Sequence, residues 1–178
     1  MLSLLPDIAD PLRLCALGKA YEGRVDLAEM PRLAPLLTSS EGEAAFALVF
    51  ETDSERRPVV DVSVRATLAL RCQRCMQRMD LYVESHSRLA VVFGPEEAEH
   101  LPDALDPLLL DEPRLVLRSL VEDELILSVP PAPRHAPDDC RVKLDEVNSA
   151  AEAAEPADEQ LAQANPFAVL AKLKSDTE

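Results

Sequence analysis

The sequence predicts an α+β fold in which an antiparallel sheet is built around a long central hairpin and covered by one main helix. Residues 59–71 and 79–93 alternate apolar and polar side chains, which is typical of strands with one packed face. A tight turn at 72–78 joins these two strands. Residues 113–128 carry apolar side chains at helical spacing. One α+β domain, residues 1–142, accounts for these elements in a chain of 178 residues with 47% apolar content.

The first third of the chain is predicted to contain two strands with helical turns between them. Residues 11–21 and 43–51 alternate in the same way as the hairpin, so both are expected to be strands. Between them, Asp26 is expected to cap a short helical turn in residues 26–38. Cys15 lies in the first of these strands and is expected to be a small buried residue.

The segment after the hairpin is predicted to lead into the main helix. Residues 94–107 are rich in proline and glutamate and are expected to form a surface loop. A short strand is expected at 108–110. Asp111 or Glu112 is expected to cap the helix at 113–128, because Pro113 suits its first turn.

An acidic triplet interrupts the apolar stripe of the main helix. Its members are Glu122, Asp123 and Glu124. Because exposed charge runs are common and buried carboxylates are rare, the triplet is expected to be the solvated face of the helix.

The C-terminal part of the chain is predicted to be a tethered helix. Residues 143–164 are rich in Ala, Glu and Asp, which is typical of an acidic flexible linker. Residues 165–174 then predict a short docking helix. Because a helix of about ten residues is marginal in water, Phe167, Leu170 and Leu173 are expected to dock onto the domain or onto a partner.

Charge is distributed unevenly along the chain. The formal net charge is −15, whereas residues 56–93 carry seven basic and three acidic side chains. The overall charge argues against a protein that coats nucleic acid generally, so any attraction to phosphate has to come from the hairpin. The candidate RNA- or phosphate-binding residues are Arg65, Arg71, Arg74, Arg78 and Arg88. The alternative is that these arginines are solvated strand ends that balance acidic loops.

Two cysteines with C-x-x-C spacing, Cys72 and Cys75, lie at the predicted turn. A thioredoxin-like redox pair expects a helix that begins at the cysteines, whereas a strand is predicted to follow here. A zinc knuckle fits a hairpin turn but needs two further ligands, for which His135 and Cys140 are the candidates. Spacing alone leaves zinc binding and two reduced thiols without metal as open alternatives.

The N-terminus and the overall hydropathy predict a cytoplasmic protein without a membrane partner. The first residues lack a basic n-region, and no apolar run approaches the roughly 18 residues of a membrane helix. In the cytoplasm, cysteines are expected to be thiols or metal ligands and not disulfides. Glycine-rich phosphate loops and paired-carboxylate motifs are absent from the sequence, so no enzymatic activity is expected.

Three separated motifs resemble the bacterial YceD-like family of large ribosomal RNA subunit accumulation proteins. They are CQRC at 72–75, VEDELILSVPPAPRH at 121–135 followed by Cys140, and NPFAVLAKLK at 165–174. The resemblance implies a non-enzymatic role in the synthesis, processing or stability of large-subunit (23S) ribosomal RNA. The implied partner is that RNA or a pre-ribosomal particle, with a ribosomal protein or an assembly factor as a further candidate. No ligand set comes with the resemblance, so the zinc hypothesis rests on the residues alone.

Two other classes of function remain open at this stage. One is a redox protein that depends on zinc or on the thiols of the C-x-x-C pair. The other is an acidic chaperone that binds proteins without contacting RNA.

Overall fold

A computed structural model describes residues 5–141 of the chain, which form an α+β fold, as predicted. In chain order the elements are β1 (Ile8–Ala9), α1 (Pro11–Ala16), β2 (Ala20–Asp26), β3 (Glu43–Thr52), β4 (Pro58–Arg71), β5 (Arg78–Val92), α2 (Pro95–Glu99), β6 (Asp106–Leu109), β7 (Leu115–Val116) and α3 (Leu117–Ser128). All of them belong to one compact unit that ends at His135, and the described part of a second unit is residues 136–141.

The main sheet has five strands in the order β2-β3-β4-β5-β6. The predicted hairpin is confirmed, because β4 and β5 pair antiparallel from Arg71 opposite Arg78 at the tip to Val59 opposite Ala90 at the base. The pairing of β6 with β5 is parallel, so the sheet is not antiparallel throughout. Strands β1 and β7 form a separate two-stranded ladder.

One face of the hairpin is packed against α3, as the alternation predicted. The positions of β4 on this face are all buried, and they are Val60, Val62, Val64, Ala66, Leu68 and Leu70. Helix α3 packs on β4 and β5 and buries the apolar stripe Leu117, Leu120, Val121 and Leu125. Full burial of a Val or Leu side chain contributes about 1.5–3 kcal/mol, so this interface stabilises the sheet.

The predicted strand at 11–21 is wrong over its first half, which forms α1. The carboxylate of Asp10 accepts hydrogen bonds from two main-chain N–H groups of the first turn, and Pro11 occupies the first helical position. These two start signals override the short alternating pattern. The helix ends before Gly18, which has a φ of 57°, and β2 follows.

Cys15 is buried, as predicted, although it lies in a helix and not in a strand. Its side chain is 4% exposed, and its Sγ lies 3.4 Å from the Val59 carbonyl oxygen. Burial raises the pKa of the Cys15 thiol to about 11. This thiol is therefore protonated and belongs to the core.

The main helix begins at Leu117, later than predicted. Neither Asp111 nor Glu112 caps it, since the capping position is Val116, which makes no side-chain capping bond. Leu115 and Val116 instead pair with β1. The helix starts where this ladder ends, which no local signal in the sequence records.

The predicted loop at 94–107 is wrong in part. Pro95–Glu99 form the short helix α2, and β6 already begins at Asp106. The short strand expected at 108–110 is confirmed as part of β6.

The prediction that the acidic triplet is the solvated face of α3 is wrong for Glu122 and Glu124, whereas the Asp123 side chain is 50% exposed. Glu122 and Glu124 are each 4% exposed. Glu122 accepts hydrogen bonds from the main-chain N–H groups of Arg32 and Leu33, at 2.6 and 3.0 Å. The Arg32 guanidinium also pairs with Asp123 and Glu122, and these hydrogen bonds raise its pKa. The carboxylates therefore hold the loop before β3 against the helix.

The predicted linker at 143–164 and the docking helix at 165–174, with Phe167, Leu170 and Leu173, lie outside the described residues and remain predictions. Within residues 5–141, no helix is long and apolar enough to cross a membrane.

Candidate metal centre and basic hairpin tip

The tip of the β4–β5 hairpin is a closed turn that carries both cysteines of the C-x-x-C pair. The Cys72 N–H donates to the Gln77 carbonyl, and the Met76 N–H donates to the Cys72 carbonyl, both at 2.9 Å. Met76 has a φ of 60°, a left-handed conformation that this sharp turn imposes on a non-glycine residue. The turn directs Cys72 inward, where it is fully buried, and leaves Cys75 half-buried.

The Cys72 sulfur is surrounded by main-chain N–H groups. The Arg74 N–H lies 3.4 Å from it, and the N–H groups of Cys75 and His135 also donate to it. Burial opposes ionisation of this thiol, but the hydrogen bonds outweigh burial and lower the pKa of Cys72 to about 5. Burial likewise opposes charging of His135, yet hydrogen bonds with both thiols raise its pKa. Cys72 is therefore a thiolate at neutral pH, which is the form that binds metal ions.

His135 is oriented by a contact on each side of its ring. Its Nδ1 lies 3.4 Å from the Cys75 sulfur, and its Nε2 lies 3.1 Å from the Arg78 carbonyl oxygen. The Gln73 N–H also donates to the Pro133 carbonyl at 2.8 Å, which holds the segment before His135 against the turn. When Nε2–H donates to a carbonyl, the lone pair of Nδ1 faces the thiols, an arrangement typical of metal-ligating histidines.

Cys72, Cys75 and His135 offer ligand atoms that lie within 4.8 Å of one another. In a tetrahedral zinc site, bonds of about 2.3 Å to sulfur and about 2.0 Å to nitrogen put neighbouring S and N ligands about 3.6 Å apart. The separation of 3.4 Å between Cys75 and His135 is close to that value. Cys140 is 2% exposed, in a turn where its N–H donates to the Ala136 carbonyl. Cys72, Cys75 and His135 thus form a group that could hold a metal ion, and Cys140 remains the fourth ligand that the sequence predicts.

Of the five candidate RNA-binding arginines, the one near the hairpin base is engaged by carboxylates. Arg88 pairs with Glu51 on β3 and with Asp61 on β4, the latter at 3.6 Å. These three residues lie on the sheet face opposite α3, as the alternation predicted. Through these contacts, Arg88 links the neighbouring strands β3, β4 and β5.

The other candidate arginines lie farther along the hairpin, and three of them lie at or beside its turn. Arg71 and Arg78 are exposed and face each other across the last pair of the ladder, while Arg74 is half-buried within the turn. Arg78 pairs with Asp80 at 3.2 Å, but both side chains remain 56% exposed. Arg65 is exposed in the middle of β4. The turn thus concentrates guanidinium groups at one end of a rigid hairpin.

Sequence reasoning missed a polar cluster between α3 and the sheet. The Glu124 carboxylate accepts hydrogen bonds from the hydroxyls of Ser85 and Ser87, at 3.1 and 2.8 Å. These serines occupy inward positions of β5, opposite Val64 and Val62. Two serines at positions where an apolar side chain is expected were the signal for a polar partner on the covering helix.

Comparisons with known proteins match most of the chain. The family model described as "Large ribosomal RNA subunit accumulation protein YceD" matches residues 60–174. A curated protein of the same description from Haemophilus influenzae is 31% identical over 172 residues, which cover 96% of each of the two chains. No solved structure matches the chain. The segment matched by the family model includes the hairpin tip and all four candidate metal ligands.

Proposed function

The chain belongs to the YceD family of large ribosomal RNA subunit accumulation proteins, and from this premise we propose that it is a non-enzymatic ribosome biogenesis factor. Its role is to support the synthesis, processing or stability of large-subunit (23S) ribosomal RNA in the cytoplasm. The observation that carries the proposal is the cluster of Arg71, Arg74 and Arg78 at the tip of a rigid hairpin in an otherwise acidic protein.

The proposed mechanism is that the hairpin tip binds the RNA backbone. A guanidinium group can donate two parallel hydrogen bonds to one phosphate, and three such groups within one turn recognise neighbouring phosphates. The net charge of −15 weakens binding to RNA in general and limits it to places that the narrow tip can reach. Aromatic residues make up only 3% of the chain, so recognition relies on backbone and folded shape more than on base stacking.

In the same proposal, a zinc ion held by Cys72, Cys75, His135 and Cys140 fixes the tip. The thiolate character of Cys72 and the orientation of His135 support this assignment. Four protein ligands fill the tetrahedral shell of zinc and leave no position for a substrate. The ion would therefore be structural, in agreement with a non-enzymatic role.

The proposed partner is large-subunit ribosomal RNA or a pre-ribosomal particle that contains it. A ribosomal protein or an assembly factor is a second contact, for which Phe167, Leu170 and Leu173 are the predicted docking residues. Arg65, which is exposed on β4, extends the candidate RNA surface away from the tip. Arg88 is left out of this surface because Glu51 and Asp61 already engage it.

A complementation experiment tests the function. Cells that lack the native protein are expected to accumulate less large subunit, and the wild-type chain is expected to restore its peak in sedimentation profiles. A chain with Arg71, Arg74 and Arg78 replaced by Ala should not restore it. The matched control replaces Arg13, Arg56 and Arg114, which are exposed and lie elsewhere, and thus makes the same change in net charge. A normal large-subunit peak in the deletion cells would refute the role, and rescue by both variants would refute the arginine mechanism.

A thiol redox function is the second candidate, because the pKa of Cys72 is lowered to about 5 and a second thiol, Cys75, lies three residues on. Full burial of Cys72 and the strand that follows the pair argue against it. Measurement of the thiol and disulfide states of Cys72 and Cys75 in growing cells separates the two functions. Reversible cycling supports redox chemistry, and permanently reduced or metal-bound cysteines support the structural site.

A further inference from the structure

Strand β5 has an outer edge that other strands leave largely unpaired. Strand β4 pairs with one of its edges along nearly its whole length. On the other edge, β6 pairs only from Leu89 to Val92. Among residues 5–141, no strand therefore covers the outer edge of β5 between Arg78 and Arg88.

Hydrogen bonds at the hairpin turn show which main-chain groups of β5 point away from β4, toward this outer edge. The Gln77 carbonyl accepts from Cys72, so residue 77 faces β4. Residues of an antiparallel strand face their partner alternately, so the even-numbered residues of β5 direct their N–H and C=O groups outward. The Arg78 carbonyl follows this pattern, because it accepts a hydrogen bond from His135 and not from β4. The outward-facing residues at the centre of the edge are Tyr82, Glu84 and His86.

A groove of about 470 Å³ runs between this edge and the end of α3. Apolar side chains beside the groove are exposed to an unusual degree: Leu127 at the end of α3 is 79% exposed, and Tyr82, whose side chain lies on the sheet face opposite α3, is 60% exposed. The charged residues that line the groove are Glu84 and Glu124, both acidic. The groove therefore combines open main-chain groups, apolar contacts and negative charge.

Glu124 gives the groove a buried negative charge without a cation. Its side chain is 4% exposed and accepts hydrogen bonds from Ser85 and Ser87. Within the part of the chain that the structure describes, no ion pair involves Glu124, whereas Glu122, two residues earlier, is paired with Arg32. Since a buried carboxylate that lacks a cation is costly, a positively charged group that enters the groove gains more than it would at an exposed glutamate.

We propose that this groove binds an extended basic segment of a partner protein, which adds a strand to the outer edge of β5 and directs a Lys or Arg side chain to Glu124. Strand addition pairs the outward main-chain groups, and the alternation of the added strand brings every second side chain to one face. Leu127 and Tyr82 supply apolar contacts for its other residues. A second copy of this chain is a poor occupant, because each copy carries a net charge of −15. The proposal does not depend on RNA binding by the hairpin tip.

Binding of defined peptides to the full chain tests the proposal. The probe is a decapeptide of alternating Lys and Val, compared with one of alternating Glu and Val and with a Lys–Val peptide that is N-methylated at alternate amides. We expect the first peptide to bind and the other two to bind at least about tenfold more weakly, because they lose the charge contact or the strand hydrogen bonds. Hydrogen exchange of the amides of Tyr82, Glu84 and His86 should slow when the first peptide is bound.

Two pairs of variants locate the binding site. Glu124→Gln keeps the shape and the serine contacts but removes the charge, so affinity should fall about tenfold. Glu99→Gln, on exposed α2, changes the net charge equally and should leave affinity unchanged. Glu84→Pro removes one outward N–H and should abolish binding, whereas Glu84→Thr keeps that N–H and should retain most of it. If Glu84→Pro does not fold, the N-methylated peptide makes the same test from the ligand side.

Four outcomes would overturn the proposal. They are no binding of the Lys–Val peptide at about 1 mM, equal binding of the N-methylated peptide, wild-type affinity of Glu124→Gln, and protection of β5 amides through self-association without peptide. The last outcome would assign the edge to a second copy of the chain. Slowed exchange confined to the even-numbered amides of β5, together with weaker binding by Glu124→Gln, would support the proposal that a basic segment adds a strand to this edge.

Discussion

The two ends of the β4–β5 hairpin are held in different ways. At the base, Val59 and Ala90 form a buried apolar cluster with Leu105, and Leu101 packs against it. At the tip, a buried thiolate, a second thiol and an imidazole lie at the turn, with main-chain N–H groups around the first sulfur. Apolar packing does not depend on protonation, whereas thiols and imidazole rings change charge with pH and are groups that can bind a metal ion. The comparison indicates that the base maintains the fold, and it supports the proposal that the tip is the functional end.

The arginines of the two ends follow the same division. Arg88 at the base is engaged by two carboxylates from neighbouring strands. Arg71 at the tip is exposed and lies opposite a second arginine, Arg78. Like charges directly opposite each other in a ladder are unfavourable, so folding alone does not account for the pair. An anionic ligand such as phosphate would stabilise it.

The largest effect on stability is expected in the core near the base. Phe50 is fully buried and makes an edge-to-face contact with Tyr21. Phe50→Ala should lower the free energy of unfolding by about 3–5 kcal/mol, equally with and without a metal chelator. Its neighbour Val49 is 40% exposed on the other face, so Val49→Ala should cost less than about 1 kcal/mol. Denaturant unfolding measures both, and a chelator-dependent loss in Phe50→Ala would remove the distinction between the two ends.

The next largest effect on stability is expected from loss of the proposed zinc site at the tip. Cys75→Ser should abolish stoichiometric zinc binding and the stabilisation by zinc, which is about 2.7 kcal/mol at a free zinc concentration of 100 times Kd. Cys15→Ala, which changes a buried thiol in α1, should retain full zinc content. Metal analysis and thermal unfolding with added zinc check both variants. Equal zinc content in the two variants would show that the cluster is not a metal site.

The metal-free tip should also show a pH dependence. The pKa of Cys72 is lowered from 9.0 to about 5, so its contribution to stability is fully present above pH 9 and is lost as the pH falls toward 5. The contribution of His135 to stability changes with pH in the opposite direction. The stabilisation that accompanies its raised pKa is lost as the pH rises through that pKa. Because Cys72 also helps to raise the His135 pKa, the two contributions are separated in a His135→Ala background, where the stability that Cys72→Ala removes from the metal-free protein should grow from pH 5 to pH 9. A constant difference across this range would contradict the thiolate assignment.

A smaller effect separates the two kinds of arginine. Arg88→Ala should lower stability by up to about 1 kcal/mol, because its ion pairs are partly exposed. Arg71→Ala should change stability by less than about 0.5 kcal/mol. Chemical denaturation of the two variants makes the comparison, and a greater loss in Arg71→Ala would mean that the tip arginine is structural.

The smallest effect is expected from the left-handed residue at the tip. Met76 has a φ of 60° and is 56% exposed, so Met76→Gly relieves strain without loss of packing. We expect a gain of about 0.5 kcal/mol in the free energy of unfolding. Arg56 has a φ of 66° in the turn that leads into β4, and Arg56→Gly should give a similar gain. Destabilisation by Met76→Gly, with a gain in Arg56→Gly, would show that the Met76 side chain contributes to the site.

The hairpin and its covering helix could be predicted because their signals are local and repeated. Six inward positions of β4 keep one period over residues 60–70, and the C-x-x-C pair falls between the two strands. The spacing of His135 and Cys140 also suggested the remaining ligands. The pattern could not show that His135 lies against a turn about sixty positions earlier, since only the folded chain brings His135 to Cys75.

The failures of prediction have long-range causes. Glu122 is buried because Arg32, 90 residues earlier, supplies its hydrogen bonds. The start of α3 is delayed by a ladder with β1, which lies at the opposite end of the fold in sequence. Helix α1 is the exception, since Asp10 and Pro11 are local signals that outweighed a short alternating pattern.

Crosslinking of the protein to RNA in living cells tests the central claim most directly. The account predicts that ultraviolet irradiation joins large-subunit ribosomal RNA to the tip peptide that contains residues 71–78. The yield should fall at least about tenfold when Arg71, Arg74 and Arg78 are replaced by Ala, and not when Arg13, Arg56 and Arg114 are replaced. Equal yields from the two variants, or crosslinks confined to other peptides, would contradict the assignment of the hairpin tip as the functional end.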